Sequence, residues 1–212
     1  ANDGIVLDGT RLINGATSGS DMVGWGSIWL NHEISHSMSL VDDYSFDGET
    51  EALWHKYVGQ FGWMGYSSLD SNAPGLFAFE RWQLGWLDDE QVSCLSEEGG
   101  TVTLDNIETP GGTKVAMLPL SETQAIAVES RRPLGIDSKL DKSGALVYVL
   151  DTKKESGYGP IAVQSNTKQS KDQWLKQAPL AVGESITVGD YTVSVKNATD
   201  TSDTVTIKRT KS

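Results

Sequence analysis

A single cysteine, Cys94, is all that the 212 residues offer. No intramolecular disulfide can form, so redox compartment cannot be read from the thiols. Cys94 has no evident paired base and reads as a small buried apolar residue rather than a nucleophile. Long apolar runs are missing too: nothing reaches the roughly 18 residues that a membrane-crossing helix needs. Positive charge is scarce. Lys and Arg number 17 against 29 Asp and Glu, a formal net charge of −12, which argues against a nucleic-acid surface, since that needs clustered Lys and Arg. Internal repeats and low-complexity tracts are absent. Histidine is also rare, with three in the chain, and two of them fall within one short motif.

That motif is His32-Glu33-Ile34-Ser35-His36, an H-E-x-x-H pattern. On a helix, residues four apart lie one above the other, so both imidazoles can address one metal ion. Glu33 is turned about 100° around the helix from His32. It then stands beside the metal and can act as the base toward a water there. The plain alternative is a polar helix face with two incidental histidines. Asp42 follows six residues after His36, and Tyr44 completes D-x-Y. Further on come Gly62-Trp63-Met64-Gly65-Tyr66 and Phe77-Ala78-Phe79-Glu80-Arg81-Trp82-Gln83-Leu84-Gly85-Trp86-Leu87.

Together, these residues of about 24–92 resemble the zinc site of the immune-inhibitor-A-like metallopeptidases, a metzincin-related group of secreted zincins. Their pattern runs H-E-x-G-H-x-x-G-L-P-D-x-Y, then a Met-Gly-Tyr turn, then a helix ending W-x-L-G-W-L. The resemblance implies Zn2+ held by His32, His36 and Asp42, with Glu33 as general base. It makes Met64 the methionine beneath the metal and Tyr66 a phenol near the substrate carbonyl. It also implies a secreted enzyme acting on protein or peptide substrates. Three positions depart from the pattern: Ser35 and Ser39 replace glycines, and Val41 replaces proline. The second glycine ends the helix in a left-handed conformation, which costs a residue with a Cβ about 1 kcal/mol or more. Either Ser39 is strained or the turn is built differently.

Other third ligands stay open. His55 is the spare histidine, and Glu80 is where a second zincin class would place a glutamate, but Leu84 stands four residues on where that class expects Asp. The acidic stretch Asp42, Asp43, Asp47, Glu49, Glu51 makes a structural Ca2+ conceivable, though its spacing is not that of an EF-hand and a solvated loop explains it as well. Only 31 residues precede the motif, whereas zincins place a twisted sheet and a backing helix there. The expectation is that an upstream part of the catalytic domain is required.

Spacing predicts a short strand at Gly4–Leu7, then loop, and a helix over about Val23–Met38 capped by Ser20 or Asp21 and weakened by Gly24 and Gly26. Trp25, Ile28 and Trp29 read as core. A short helix is expected over 49–58, and another starting at Ser71 or Asn72 ahead of Pro74, carrying Leu76, Phe79, Trp82 and Trp86. From Ser96, glycines punctuate β-branched runs at 101–104, 114–118, 125–129, 145–150, 185–188, 191–195 and 204–207. Residues 1–95 thus read as a zincin-like catalytic segment, and 96–212 as a β-sandwich accessory domain. The fold class expected is α+β: the helical C-terminal part of a zincin-like domain, followed by an all-β antiparallel sandwich. Two other functions compete with a zinc endopeptidase. One is a catalytically inactive zinc-binding or scaffold module of a secreted protein. The other is a plain β-sandwich adhesion or carbohydrate module without stoichiometric metal.

Overall fold

The structure, a computed structural model, describes residues 5–12, 19–47, 51–66, 74–166 and 174–210. The chain opens with a hairpin, β1 (Ile5–Leu7) and β2 (Thr10–Leu12), closed by Asp8-Gly9 with both residues at positive φ, the two-residue turn that matches strand twist. Helix α1 spans Asp21–Ser37 and is broken at Gly26, whose φ of 67° and ψ of −152° interrupt its first turns. Two short helices follow, α2 (Glu51–Trp54) and α3 (Ala78–Gln83).

The remaining elements are strands: β3 (Val92–Cys94), β4 (Gly100–Asp105), β5 (Val115–Pro119), β6 (Gln124–Arg131), β7 (Gly144–Asp151), β8 (Ile161–Val163), β9 (Ser185–Val188), β10 (Tyr191–Ala198) and β11 (Ser202–Arg209). They form a five-stranded sheet in the order β3-β5-β6-β7-β8 and a four-stranded sheet in the order β4-β11-β10-β9. All pairs are antiparallel except β3 with β5, which is parallel.

The expected fold class is overturned. Strand makes up 33% of the structure against 17% helix, and a helical zincin C-terminal part is not shown. The physical reason is clearest at the helix expected around 76–86. Backbone geometry starts it only after Phe77, and Gly85 at φ 70° ends it. Leu76 and Trp86 therefore lie outside the helix, and Trp86 is exposed. The proposed start at Ser71 or Asn72 lies outside the described residues, as do positions 49 and 50 of the helix expected at 49–58.

Two cores flank the five-stranded sheet. Alternate residues of β5, β6 and β7 (Ala116, Leu118, Ile126, Val128, Ala145, Val147) meet Leu104, Ile186, Val193, Val205 and Ile207 of the four-stranded sheet. The opposite face (Val115, Ala127, Leu146, Tyr148) packs on Val58, Phe61, Phe77 and Ala78 from the segment before β3. Burying such side chains contributes roughly 1.5–3 kcal/mol each. The period-two pattern of a strand makes this two-sided packing possible. A buried ionic network crosses this second face. Arg131 donates to Glu129 at 2.5 Å and to Asp137 at 2.7 Å, and all three are essentially inaccessible. Glu129 also accepts the Ala78 N–H and the Tyr148 hydroxyl.

Two burial expectations fail. Cys94 is exposed, because β3 is an edge strand. Trp25 is 40% exposed, since the broken start of α1 packs on little else, while Ile28 and Trp29 are partly buried. Among the described residues, no helix is long and apolar enough to cross a membrane.

Candidate metal centre

Helix α1 carries His32 and His36 one turn apart, with ring centroids 4.9 Å apart and planes nearly perpendicular. Ser35, between them, turns its hydroxyl back to the Asn31 carbonyl at 2.8 Å, a bond local to the helix. The helix then ends abruptly. Ser39 takes φ 72°, the Leu40 N–H reaches the Ser35 carbonyl at 3.2 Å, and the Ser39 N–H reaches the His36 carbonyl at 3.0 Å. This is a Schellman ending with serine where glycine is favoured. Its apolar partner is present as well: Leu40 is buried against Met64 and Leu76.

The reversal aims Asp42 back at the helix. Its Oδ1 accepts from His32 Nε2 at 3.0 Å and lies 3.3 Å from His36 Nε2. His32, His36 and Asp42 can offer ligand atoms that all lie within 4.8 Å of one another, the one such group among the described residues. His36 Nδ1 is 2.9 Å from the Leu40 carbonyl. An N–H donated there fixes the tautomer and leaves Nε2 facing Asp42. Among the described residues, His32 Nδ1 is buried without a hydrogen-bond partner.

The electrostatics follow from this geometry. The hydrogen bond to Asp42 raises His36 to about 9, against the opposing effect of burial and with help from the Leu40 carbonyl. Burial works against the charge on Asp42, yet the hydrogen bonds from His32 and His36 outweigh it and hold its carboxyl well below the usual range. Glu33 is part-exposed, one position round the helix. Tyr44 is raised to about 12, first by burial and then by the negative charges of Asp42 and Glu33.

Other residues singled out by sequence take different places. Met64 is fully buried and its carbonyl accepts the Asp43 N–H at 3.0 Å, tying this turn to the loop that carries Asp42. Tyr66 is 9% exposed and its ring neighbours are Tyr44, Trp54 and His55. Tyr44 is the phenol whose ring stands 6.1 Å from that of His32. His55 stacks on Trp174 at 3.8 Å, and Glu80 accepts the Phe77 N–H at the start of α3. Neither joins the histidine pair. In the acidic loop, Asp47 is turned outward to Lys56 and Tyr57.

Ser156, in the loop between β7 and β8, gave no sequence signal. Its hydroxyl accepts the Asp42 N–H at 2.9 Å and donates to Asp42 Oδ2 at 3.0 Å. The next residue, Gly157, donates its N–H to the Asp42 carbonyl at 2.8 Å and accepts the Phe46 N–H at 2.9 Å. Gly157 sits at φ 76°, where an added Cβ would fall 2.3 Å from the Phe46 ring, so only glycine fits this clasp. Against known proteins, no family model, no curated protein and no solved structure matches the chain.

Proposed function

We propose that this chain is a secreted zinc-dependent endopeptidase, in line with its resemblance to the immune-inhibitor-A-like metallopeptidases. His32, His36 and Asp42 would hold the metal, and Glu33 serves as general base. The observation that supports this most is the convergence of two imidazole Nε2 atoms on one carboxylate oxygen, at 3.0 and 3.3 Å. In a tetrahedral zinc site with bonds of about 2.0–2.2 Å, neighbouring donors lie roughly 3.3–3.6 Å apart. The three donors lie within 4.8 Å of one another, so an ion in place of the shared hydrogen bonds would ask the Asp42 oxygen to back away and the two imidazoles to draw together. Two nitrogens and one oxygen fit zinc and leave a fourth position, the arrangement of catalytic rather than structural sites.

Bound zinc supplies Lewis acidity, lowering the pKa of a water toward ~7 and polarising a peptide carbonyl. The chain's own residues do the rest. Glu33, exposed enough to meet solvent, takes a proton from the attacking water and returns it to the leaving amine. Tyr44, kept protonated by its surroundings, donates a hydrogen bond to the developing oxyanion from beside His32, with Tyr66 packed against it. Such a donor is worth about 3 kcal/mol. The Leu40 carbonyl holds the His36 ring, and Ser156 holds the Asp42 carboxylate.

The test is zinc content together with cleavage of an unfolded protein substrate. Wild type should bind one zinc, and His32→Ala and Asp42→Ala should lose it. Glu33→Gln should keep zinc while cleavage drops by about 10²–10⁴-fold. Cleavage retained in Glu33→Gln with zinc bound removes Glu33 from this role. Stoichiometric zinc with no cleavage by wild type favours an inactive zinc-binding module, and absence of zinc binding ends the hydrolase reading.

A further inference from the structure

We propose that the exposed rings of Phe46 and Tyr158 form an aromatic platform beside the candidate metal centre, and that it receives an aromatic or long aliphatic side chain of an extended peptide substrate. This deepens the endopeptidase reading and rests on it for the identity of the occupant.

Phe46 is 48% exposed and Tyr158 is 42% exposed. Apolar rings scattered singly over a surface are ordinary. These two are not single. Phe46 comes from the loop between α1 and α2, and Tyr158 from the β7–β8 loop. Their centroids nevertheless lie 5.9 Å apart with planes at 77°, an edge-to-face pair. The row continues inward. Tyr44 stands 5.4 Å from Phe46 and 6.1 Å from His32. A line of touching rings thus leads from a candidate metal ligand to the surface.

The platform is held rigidly. The Phe46 ring lies over Gly157, where an added Cβ would fall 2.3–2.5 Å from three ring carbons. The Phe46 N–H donates to the Gly157 carbonyl at 2.9 Å, and the Gly157 N–H to the Asp42 carbonyl at 2.8 Å. Buried Ser45 donates its N–H to the Trp54 carbonyl, and its hydroxyl accepts the Asp47 N–H at 3.1 Å. One clasp therefore sets both Asp42 and Phe46, and fixes the spacing between them. A preformed apolar surface gives up little entropy when it is covered.

The occupant follows from distance and chemistry. An extended peptide rises about 3.3 Å per residue, so with its scissile bond at His32 it passes Phe46 within about three residues. The adjacent acid, Asp47, is taken up by Lys56 and Tyr57. Ring carbon is left as the recognition element, and it suits Phe, Tyr, Trp or Leu rather than a charged side chain.

Cleavage and binding are measured separately. Blocked alanine-rich hexapeptides carry one Phe, Leu or Glu at each position in turn, with the all-alanine peptide as reference. Cleavage by the zinc-loaded chain should favour Phe or Leu within three residues of the scissile bond by about 10–100-fold in kcat/KM, chiefly through KM. Binding to the zinc-free chain, which leaves the peptides intact, is followed by NMR and should favour the Phe peptides about tenfold over all-alanine. Phe46→Ala and Tyr158→Ala should each cut both preferences at least about threefold, and Phe46→Trp should keep them. Zinc content is measured in every variant. If Phe46→Ala disturbs the glycine clasp and fails to fold, Tyr158→Ala carries the test. Cleavage without an apolar preference, or a preference unchanged in Tyr158→Ala and Phe46→Ala, overturns the platform and leaves the peptidase reading standing. A binding preference that the variants lose, with no cleavage by wild type, supports the platform and removes the peptidase. Neither preference nor cleavage removes both.

Discussion

Ser156 clasps Asp42 twice, accepting its backbone N–H at 2.9 Å and donating to its Oδ2 at 3.0 Å, across 114 residues of chain. One carboxylate oxygen is thereby fixed so that the other faces the histidines. Ser156→Ala should leave the fold intact and weaken zinc about 10–100-fold, the usual effect of losing a residue that orients a ligand. Competition with a chromogenic chelator measures this. Unchanged affinity would mean that the helix ending alone positions Asp42.

Ser39 offers a test in the opposite direction. At φ 72° it carries a Cβ in the left-handed region, so Ser39→Gly should stabilise the chain by up to about 1 kcal/mol. Tm should rise by about 2–4 °C, with zinc affinity unchanged. Thermal melts of the two proteins under identical metal conditions decide the point.

Removing Arg131 should be severe. Arg131→Met leaves Glu129 and Asp137 buried without their shared partner, a loss of about 3–5 kcal/mol. Urea unfolding at neutral pH would reveal it as a large fall in the midpoint.

Glu80 predicts a pH dependence. Burial raises it from its ordinary 4.5 to about 7, with the Phe77 N–H opposing. Between those values the folded chain binds more protons than the unfolded one, so stability falls as pH rises through this window. Asp43, also pushed upward by burial, acts in the same sense. Unfolding of the metal-free protein should show this loss from about pH 4.5 to pH 7, and Glu80→Gln should flatten it. An unaltered slope in the variant would place the effect elsewhere.

The histidine pair was legible because a four-residue spacing on one helix is a local property. The strands from β4 to β7 and β9 to β11 coincide with β-branched runs for the same reason. β3 and β8 were missed, being three residues each, too short to establish a period. The helix expected from Leu76 to Trp86 shows the limit of periodicity: the apolar spacing was real, but Gly85 and the extended Phe77 confine regular structure to six residues. Phe79 and Trp82 pack from the short helix, Leu76 reaches its core from loop backbone, and Trp86 stays exposed. Ser156 and Gly157 gave no signal, because a lone serine in a polar loop meets Asp42 of the candidate metal site only through tertiary folding. Asp43 was one acid in an acidic stretch until burial set it apart from exposed Asp47.

The β7–β8 loop also bears on the order of events as the chain folds. Joining Ser156 to Asp42 closes a loop of 114 residues, and its entropy must be met before the contact gives anything back. Helix α1 can present its histidines early, yet the carboxylate acquires its final aim only once β7 and β8 have paired. For the proposed metal site, ion capture would thereby be a late checkpoint. A nascent or partly unfolded chain would hold the ion weakly, and full affinity would report that the distant sheet is already in place.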